Sequence, residues 1–258
     1  MDQEQINITN SKFPVLIKFA NEYLGENEKD IRYLFRTRPI LLNGEGYWCK
    51  YEEALQVLST TDLEYLLGRL KSATVSLSAE KGWPHFMEIL NEALAYWLLR
   101  KDGYKSISFI DESSNGLSPD IEVLDTDNRG LIEVKTTRFS DNEYKAVSEE
   151  FEKGNGRFLD TAVHPTLIKK INAGVSEAIK QLWEYRPIHL PLRRIYLFLN
   201  LDDGNLLDII FTPESDLKLF FCKLKATLMN GEFPSQEGKN IELKIYILSG
   251  KDPIEICE

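Results

Sequence analysis

The chain reads as an α/β protein in which a mixed β-sheet core is flanked by helices and preceded by a helical N-terminal region. Two observations predict this. The spacing of apolar residues changes between helical and alternating in the order helix, three strands, helix, strand, helix, strand, as expected of a meander followed by a crossover. At 258 residues and 43% hydrophobic side chains, the chain can also bury one large core, or a core domain with a smaller appendage.

Residues 1–80 are expected to be helical and separate from a sheet-bearing region at 81–258. Residues 13–24 and 51–58 have helical apolar spacing, and Thr61-Asp62 is expected to cap a helix through Leu63, Leu66, Leu67 and Leu70. Gly82-Trp83-Pro84 opens the next helix, since proline suits a first turn. Phe86, Ile89, Leu90, Ala93, Leu94, Trp97 and Leu98 form its apolar stripe, and Gly103 ends it. Strand-like runs follow at 106–110, 120–124 and 131–135, the last two rich in Ile and Val. Residues 138–165 form a long polar insertion, a length typical of substrate-facing flaps and of plain surface excursions. A helix at about 166–185, a strand at 194–200, a helix at 217–228 and a strand at 241–248 complete the pattern.

A formal net charge of −10 means that the molecule as a whole does not attract polyanions, so any nucleic-acid role must rest on local basic clusters or bound cations. Lys169-Lys170, Arg193-Arg194 and Lys218/Lys223/Lys225 are such clusters, each also readable as a solvated face. Cys49, Cys222 and Cys257 are far apart and without CxxC spacing, which argues against a disulfide framework or zinc site and for a reducing cytoplasm. The polar start and the absence of a long apolar stretch predict no signal peptide and no membrane span.

The chemistry gathers in "SPDIEVLDTDNRGLIEVKTT", residues 118–137. Side chains alternate faces along a strand, so Glu133 and Lys135 share a face, as do Asp120 and Glu122. A two-residue loop at Asp127-Asn128 would set Asp120 across from Lys135 and Glu122 across from Glu133. Like charges directly opposite destabilise a sheet, so the cluster is either well solvated or built to hold a divalent cation. Mg²⁺ and Mn²⁺ prefer such oxygen ligands.

Pro119-Asp120 followed by Glu133-Val134-Lys135, on adjacent strands after a helix, resembles the PD-(D/E)XK phosphodiesterase superfamily. The resemblance covers about residues 82–250 and implies a restriction-endonuclease-like mixed sheet. The triplet alone is a weak marker, since [DE]xK also occurs at Glu143, Asp216, Glu237 and Glu242, but only Glu133 lies in a strand run with Pro-Asp opening the strand before it. The resemblance implies that Asp120, Glu133 and the Val134 carbonyl bind Mg²⁺ or Mn²⁺, and that Lys135 assists the attacking water. It also implies a glutamate ligand on the preceding helix, for which Glu92 is favoured over Glu88, with His85 as an alternative. Gln181 and Tyr185, at i and i+4 on the later helix, are similar to the QxxxY signature of the branch containing lambda exonuclease and helicase-nuclease nuclease domains. They are expected to contact the substrate together with Lys169 and Lys170.

The implied activity is metal-dependent hydrolysis of phosphodiester bonds, leaving a 5′-phosphate and a 3′-hydroxyl, with DNA favoured as substrate, an RNA-directed nuclease as the alternative, and endonuclease slightly favoured over exonuclease. The competing expectation is a nuclease-fold binding or assembly protein without catalysis. The N-terminal helices are the expected surface for a second copy or a partner protein.

Overall fold

The computed structural model describes residues 12–23, 48–75, 82–111, 118–125, 128–138, 165–185, 190–200, 222, 226, 241–249 and 252–257. Helices α1 (Pro14–Tyr23), α2 (Trp48–Gln56), α3 (Thr60–Val75) and α4 (Gly82–Lys101) come first, then strands β1 (Ile107–Phe109), β2 (Ile121–Asp125) and β3 (Asn128–Arg138). Helix α5 (Pro165–Tyr185) leads to β4 (Leu192–Asn200), β5 (Glu242–Ser249) and β6 (Asp252–Cys257). The six strands form one sheet in chain order. β1, β2 and β3 are antiparallel, β3, β4 and β5 run parallel, and β6 returns antiparallel to β5. The mixed α/β architecture is thus as the pattern implied, with α5 as the crossover between β3 and β4.

Helix α4 sits between two layers. Every residue from Ile89 to Trp97 is buried, because α2 and α3 cover one side and β3 lies on the other. A surface helix keeps one flank wet; α4 does not. The core around it joins Phe13, Trp48, Tyr51 and Leu66 to Ile89 and Leu94, and then to Ile121, Ile132 and Tyr196 of the sheet. On the opposite sheet face, α5 lays Leu167, Ile171, Val175, Ala178 and Leu182 over Leu131, Ile195, Leu197 and Ile245. That spacing is a single helical stripe, and each Leu or Ile in it stabilises the fold by roughly 1.5–3 kcal/mol.

Polar contacts fix how the N-terminal helices dock. Both carboxylate oxygens of buried Glu52 accept first-turn N–H groups of α1, from Val15 at 2.9 Å and Leu16 at 3.0 Å. Ser59 rather than Thr61 caps α3: its Oγ accepts the Asp62 N–H at 3.1 Å and donates to Asp62 Oδ2 at 2.6 Å. Asp62 also receives the Phe109 N–H and the Tyr96 hydroxyl, so one cap ties α3, α4 and β1 together. At the other end of α4, Gly103 adopts φ 94°, and the Tyr104 N–H reaches back to the Leu99 carbonyl at 3.1 Å.

Two further departures from the pattern have physical causes. β6 extends the expected pattern, which ended at the strand 241–248, and its Pro253 is tolerated because β6 is an outer strand, opposite Leu248. Arg193 and Arg194 are buried rather than solvated. Arg193 donates to the Leu182 carbonyl and stacks on Trp183, while Arg194 pairs with Asp102 and Glu242 and with the Tyr196 hydroxyl. Residues 139–164, most of 217–228, and Lys218, Lys223 and Lys225 lie outside the described residues.

Candidate active site

The hairpin register differs from the expected one by two residues. Ile121 pairs with Ile132 and Glu122 with Leu131, and the turn closes between Asp125 and Asn128. A shift of two preserves which face each side chain takes. Asp120, Glu133 and Lys135 therefore still share a face, but continuing the ladder by one pair sets Asp120 beside Glu133, and Glu122 faces an apolar neighbour.

Asp120 marks the place where the β2–β3 ladder ends. Its N–H still reaches the Ile132 carbonyl at 3.1 Å, and its carbonyl accepts the Ile110 N–H at 2.9 Å. The preceding residue, buried Pro119, has no N–H to continue the pairing. Beyond Ile132 no strand among the described residues pairs with the β2-side edge of β3. Asp120 Oδ2 caps it by accepting the Val134 N–H at 2.7 Å. The N–H and C=O of one strand residue point to the same edge, so the Val134 carbonyl faces the same opening.

Over this edge lies a cleft of about 740 Å³, lined from the sheet by Asp120, Glu133, Val134, Lys135, Thr136 and Thr137. Glu133 is only 1% exposed, and its Oε2 has no hydrogen-bond partner. Lys135 Nζ lies 2.9 Å from Glu133 Oε1 and 3.5 Å from Glu177 Oε1. Burial, and then the charge of Asp120, pushes the Glu133 carboxyl up to about 9, against the opposing pull of Lys135. For Lys135, burial works against the ammonium, but Glu133 and Glu177 outweigh it and its pKa rises. Both shifts describe a buried excess of negative charge that takes up either a proton or a cation.

Helix α4 brings Glu92 to the cleft, and Glu88 and His85 line it one and two turns earlier. Glu92 is 6% exposed, not solvated as its place opposite the apolar stripe suggested, because α3 covers that flank. Both its oxygens are engaged by Arg69 of α3, with Nη2 to Oε1 at 3.0 Å and Nη1 to Oε2. His85 Nδ1 and Glu88 Oε2 are 3.3 Å apart, and both side chains are about half exposed.

From α5 come Lys170, Glu177 and Gln181. Gln181 is 8% exposed, and its Oε1 is a second buried acceptor without a partner. Tyr185 is not among the lining residues; it packs, partly buried, against the α5 core. Lys169 points to solvent, and Glu122 lies at the β2–β3 ladder, 4.0 Å from Arg129. Of the residues singled out in the sequence, Asp120, Glu133, Val134, Lys135, Glu92, Glu88, His85, Gln181 and Lys170 line this cleft, and Arg69, Thr136 and Glu177, which were not singled out, line it too. The only trace of Arg69 in the sequence is a charged residue one helical turn after Tyr65 and flanked by Leu66 and Leu70, positions that α3 buries.

No group of three or more His, Cys, Asp or Glu side chains close enough to hold a metal occurs among the described residues. The donor set available to a divalent cation is smaller: the Asp120 and Glu133 carboxylates and the Val134 carbonyl. All are oxygen donors of the hard type that Mg²⁺ and Mn²⁺ take, and the orphaned Glu133 Oε2 fits that use. No family model, curated protein or solved structure matches the chain.

Proposed function

We propose that this chain is a restriction-endonuclease-like, metal-dependent phosphodiesterase acting on nucleic acid, with DNA as the preferred substrate and internal cleavage favoured over end-wise. The observation that supports it best is the convergence of Asp120, Glu133 and Lys135 in one cleft, with a Glu133 oxygen buried and unpartnered. A solvated hairpin would not hide a carboxylate at 1% exposure, because burying an unsatisfied charge costs several kcal/mol.

In this mechanism, Asp120, Glu133 and the Val134 carbonyl hold the cation, and Asp120 keeps its orientation by accepting the Val134 N–H. When bound, a divalent cation supplies Lewis-acid activation of water and offsets charge on the phosphate. Lys135, anchored between Glu133 and Glu177, presents an ammonium that steadies the negative charge growing on the attacking oxygen. Water oxygen bonds to phosphorus and gives up a proton to solvent, the P–O3′ bond breaks, and the leaving oxygen takes a proton from solvent to become the 3′-hydroxyl. Gln181, which lines the cleft and whose buried Oε1 has no partner among the described residues, would accept from a donor of the substrate or the water.

The test is incubation of purified protein with plasmid, linear DNA and RNA in Mg²⁺, Mn²⁺ or EDTA. Cleavage is expected only with the cations, and is expected to vanish in Asp120→Ala and Lys135→Met. Cleavage that survives both EDTA and Asp120→Ala would refute the mechanism. Binding of polymer with no hydrolysis in any cation would favour a binding or assembly role.

A further inference from the structure

The N-terminal helices contribute more than cover. Arg69 comes from α3, yet it lines the same cleft as Asp120 and Lys135. A second thread runs alongside: the Tyr51 hydroxyl of α2 donates to Asn91 Oδ1 at 2.7 Å, and Asn91 Nδ2 donates to Thr136 Oγ1 of β3 at 2.8 Å. Two adjacent residues of α4, Asn91 and Glu92, thus join the N-terminal helices to the cleft.

We propose that Arg69 is the residue that anchors a substrate phosphate, and that Glu92 is its positioning residue rather than a cation ligand. The nature of the ligand rests on the nuclease reading above. Both Glu92 oxygens accept N–H groups of Arg69, so a cation there would compete with a pair whose side chains are only 7% and 19% exposed. The guanidinium is held on a second side as well. It lies 5.8 Å from the ring of Tyr65, whose hydroxyl is fixed to the Ile110 carbonyl at 3.0 Å and whose ring stacks on Phe109.

An arginine held end-on by a carboxylate and set over an aromatic ring has lost rotamer freedom in advance, so a phosphate binds it with less of that ordering cost. Guanidinium has five N–H donors in a planar fork, and this geometry matches phosphate oxygens. The charge count points the same way. Asp120 and Glu133 match a dication, while Lys135 is committed to Glu133 and Glu177. Arg69 and, from α5, Lys170 also carry positive charge along the cleft, so a diester beside the cation meets them.

The test compares the full-length wild type with Arg69→Met, Arg69→Lys, Glu92→Gln and the double variant Arg69→Met/Glu92→Gln. Three quantities are measured: anisotropy of a short fluorescein-labelled DNA duplex across a salt series in EDTA, Mn²⁺ binding from the electron-spin signal of the free ion, and thermal unfolding. Arg69→Met and the double variant are expected to lose on the order of tenfold in DNA affinity and about one phosphate contact in salt dependence. Arg69→Lys should keep the salt dependence of one phosphate contact but recover only part of the affinity, because an ammonium lacks the planar fork, and Glu92→Gln should keep wild-type Mn²⁺ affinity.

A pair with a purely structural role gives a different pattern. Arg69→Met would unfold more easily, and removing the orphaned charge in the double variant would restore both stability and DNA binding. A double variant that binds DNA with wild-type affinity and salt slope overturns the proposal, as does loss of Mn²⁺ binding in Glu92→Gln. If the wild type cleaves DNA and the double variant binds normally, the anchor falls and the nuclease reading stands. If DNA binding depends on Arg69 but no cation brings hydrolysis, the anchor stands and the hydrolase falls. A wild type that does not bind DNA overturns both.

Discussion

Replacing Glu133 with glutamine should make the metal-free protein more stable as pH rises. The Glu133 carboxyl is pushed from 4.5 up to about 9, first by burial and then by the Asp120 charge. Between those values the native state holds a proton that the unfolded state has released, so wild-type stability is greatest below the unfolded pKa and declines as pH climbs toward the folded one. One proton gives a slope of up to about 1.4 kcal/mol per pH unit, or up to about 3 kcal/mol between about pH 6 and pH 8. For a chain of this size that corresponds to roughly 5–10 °C in Tm. Glutamine keeps the shape and does not titrate, so Glu133→Gln should match the wild type near about pH 5 and surpass it near about pH 8, in EDTA. Adding Mn²⁺ should reverse the order. At about 100 times its Kd the ion stabilises the wild type by about 2.7 kcal/mol, and the variant should respond weakly or not at all. The assay is thermal or urea unfolding over this pH range with EDTA or Mn²⁺. Parallel pH profiles for the two proteins, or a variant less stable at every pH, would show that Glu133 is ionised and satisfied by Lys135 alone.

Three further outcomes follow from the fold. A Cβ on Gly130 would lie 2.5 Å from the Leu192 carbonyl and 2.5 Å from its Cβ, so Gly130→Ala should cost at least about 3 kcal/mol in urea unfolding; a near-wild-type midpoint would disprove that approach of β3 to β4. Ser59→Ala should cost about 1 kcal/mol and Asp62→Ala about 2 kcal/mol, because only the latter strands the Phe109 N–H and takes away one of the two acceptors of the Tyr96 hydroxyl; equal losses would mean that Asp62 merely caps α3. The Asp125 carboxyl is held below its ordinary value by the Lys105 and Ser106 N–H groups, which lie 2.9 and 2.8 Å away. The stability gap between wild type and Asp125→Asn should therefore persist above the ordinary carboxylate pKa and close as pH falls through the depressed one; a gap that ignores acid would contradict it.

What could be read from the sequence depended on whether a feature was periodic or tertiary. Asp120, Glu133 and Lys135 were grouped correctly although the hairpin register was off by two, because a shift by one full strand period leaves every side chain on its face. Glu92 was a different matter. Its spacing opposite the apolar stripe is what a solvated glutamate shows, and nothing within α4 reveals that α3 will fold over it with an arginine. Arg193 and Arg194 were readable only as basic residues, since the Leu182 carbonyl, Asp102 and Glu242 that receive them are far away in the chain. Gln181 and Tyr185 lie one turn apart, yet one reaches the cleft and the other packs in the core. Helical spacing sets the angle between residues, and the neighbouring layer decides which of them reaches open space.

The early stop of β2 at Pro119 also bears on how the protein avoids its own copies. A strand edge left without a partner is a template on which another chain can add a strand, and so a starting point for aggregation. Here the uncovered stretch of β3 carries Glu133 and Lys135, with Asp120 already bonded to the Val134 N–H at the entrance. Any intruding strand would have to displace that carboxylate and bury its backbone against charges it cannot satisfy. The side chains that line the cleft thus also guard a stretch of β3 whose β2-side edge has no strand partner among the described residues, and substitutions that neutralise them should be examined for self-association as well as for activity.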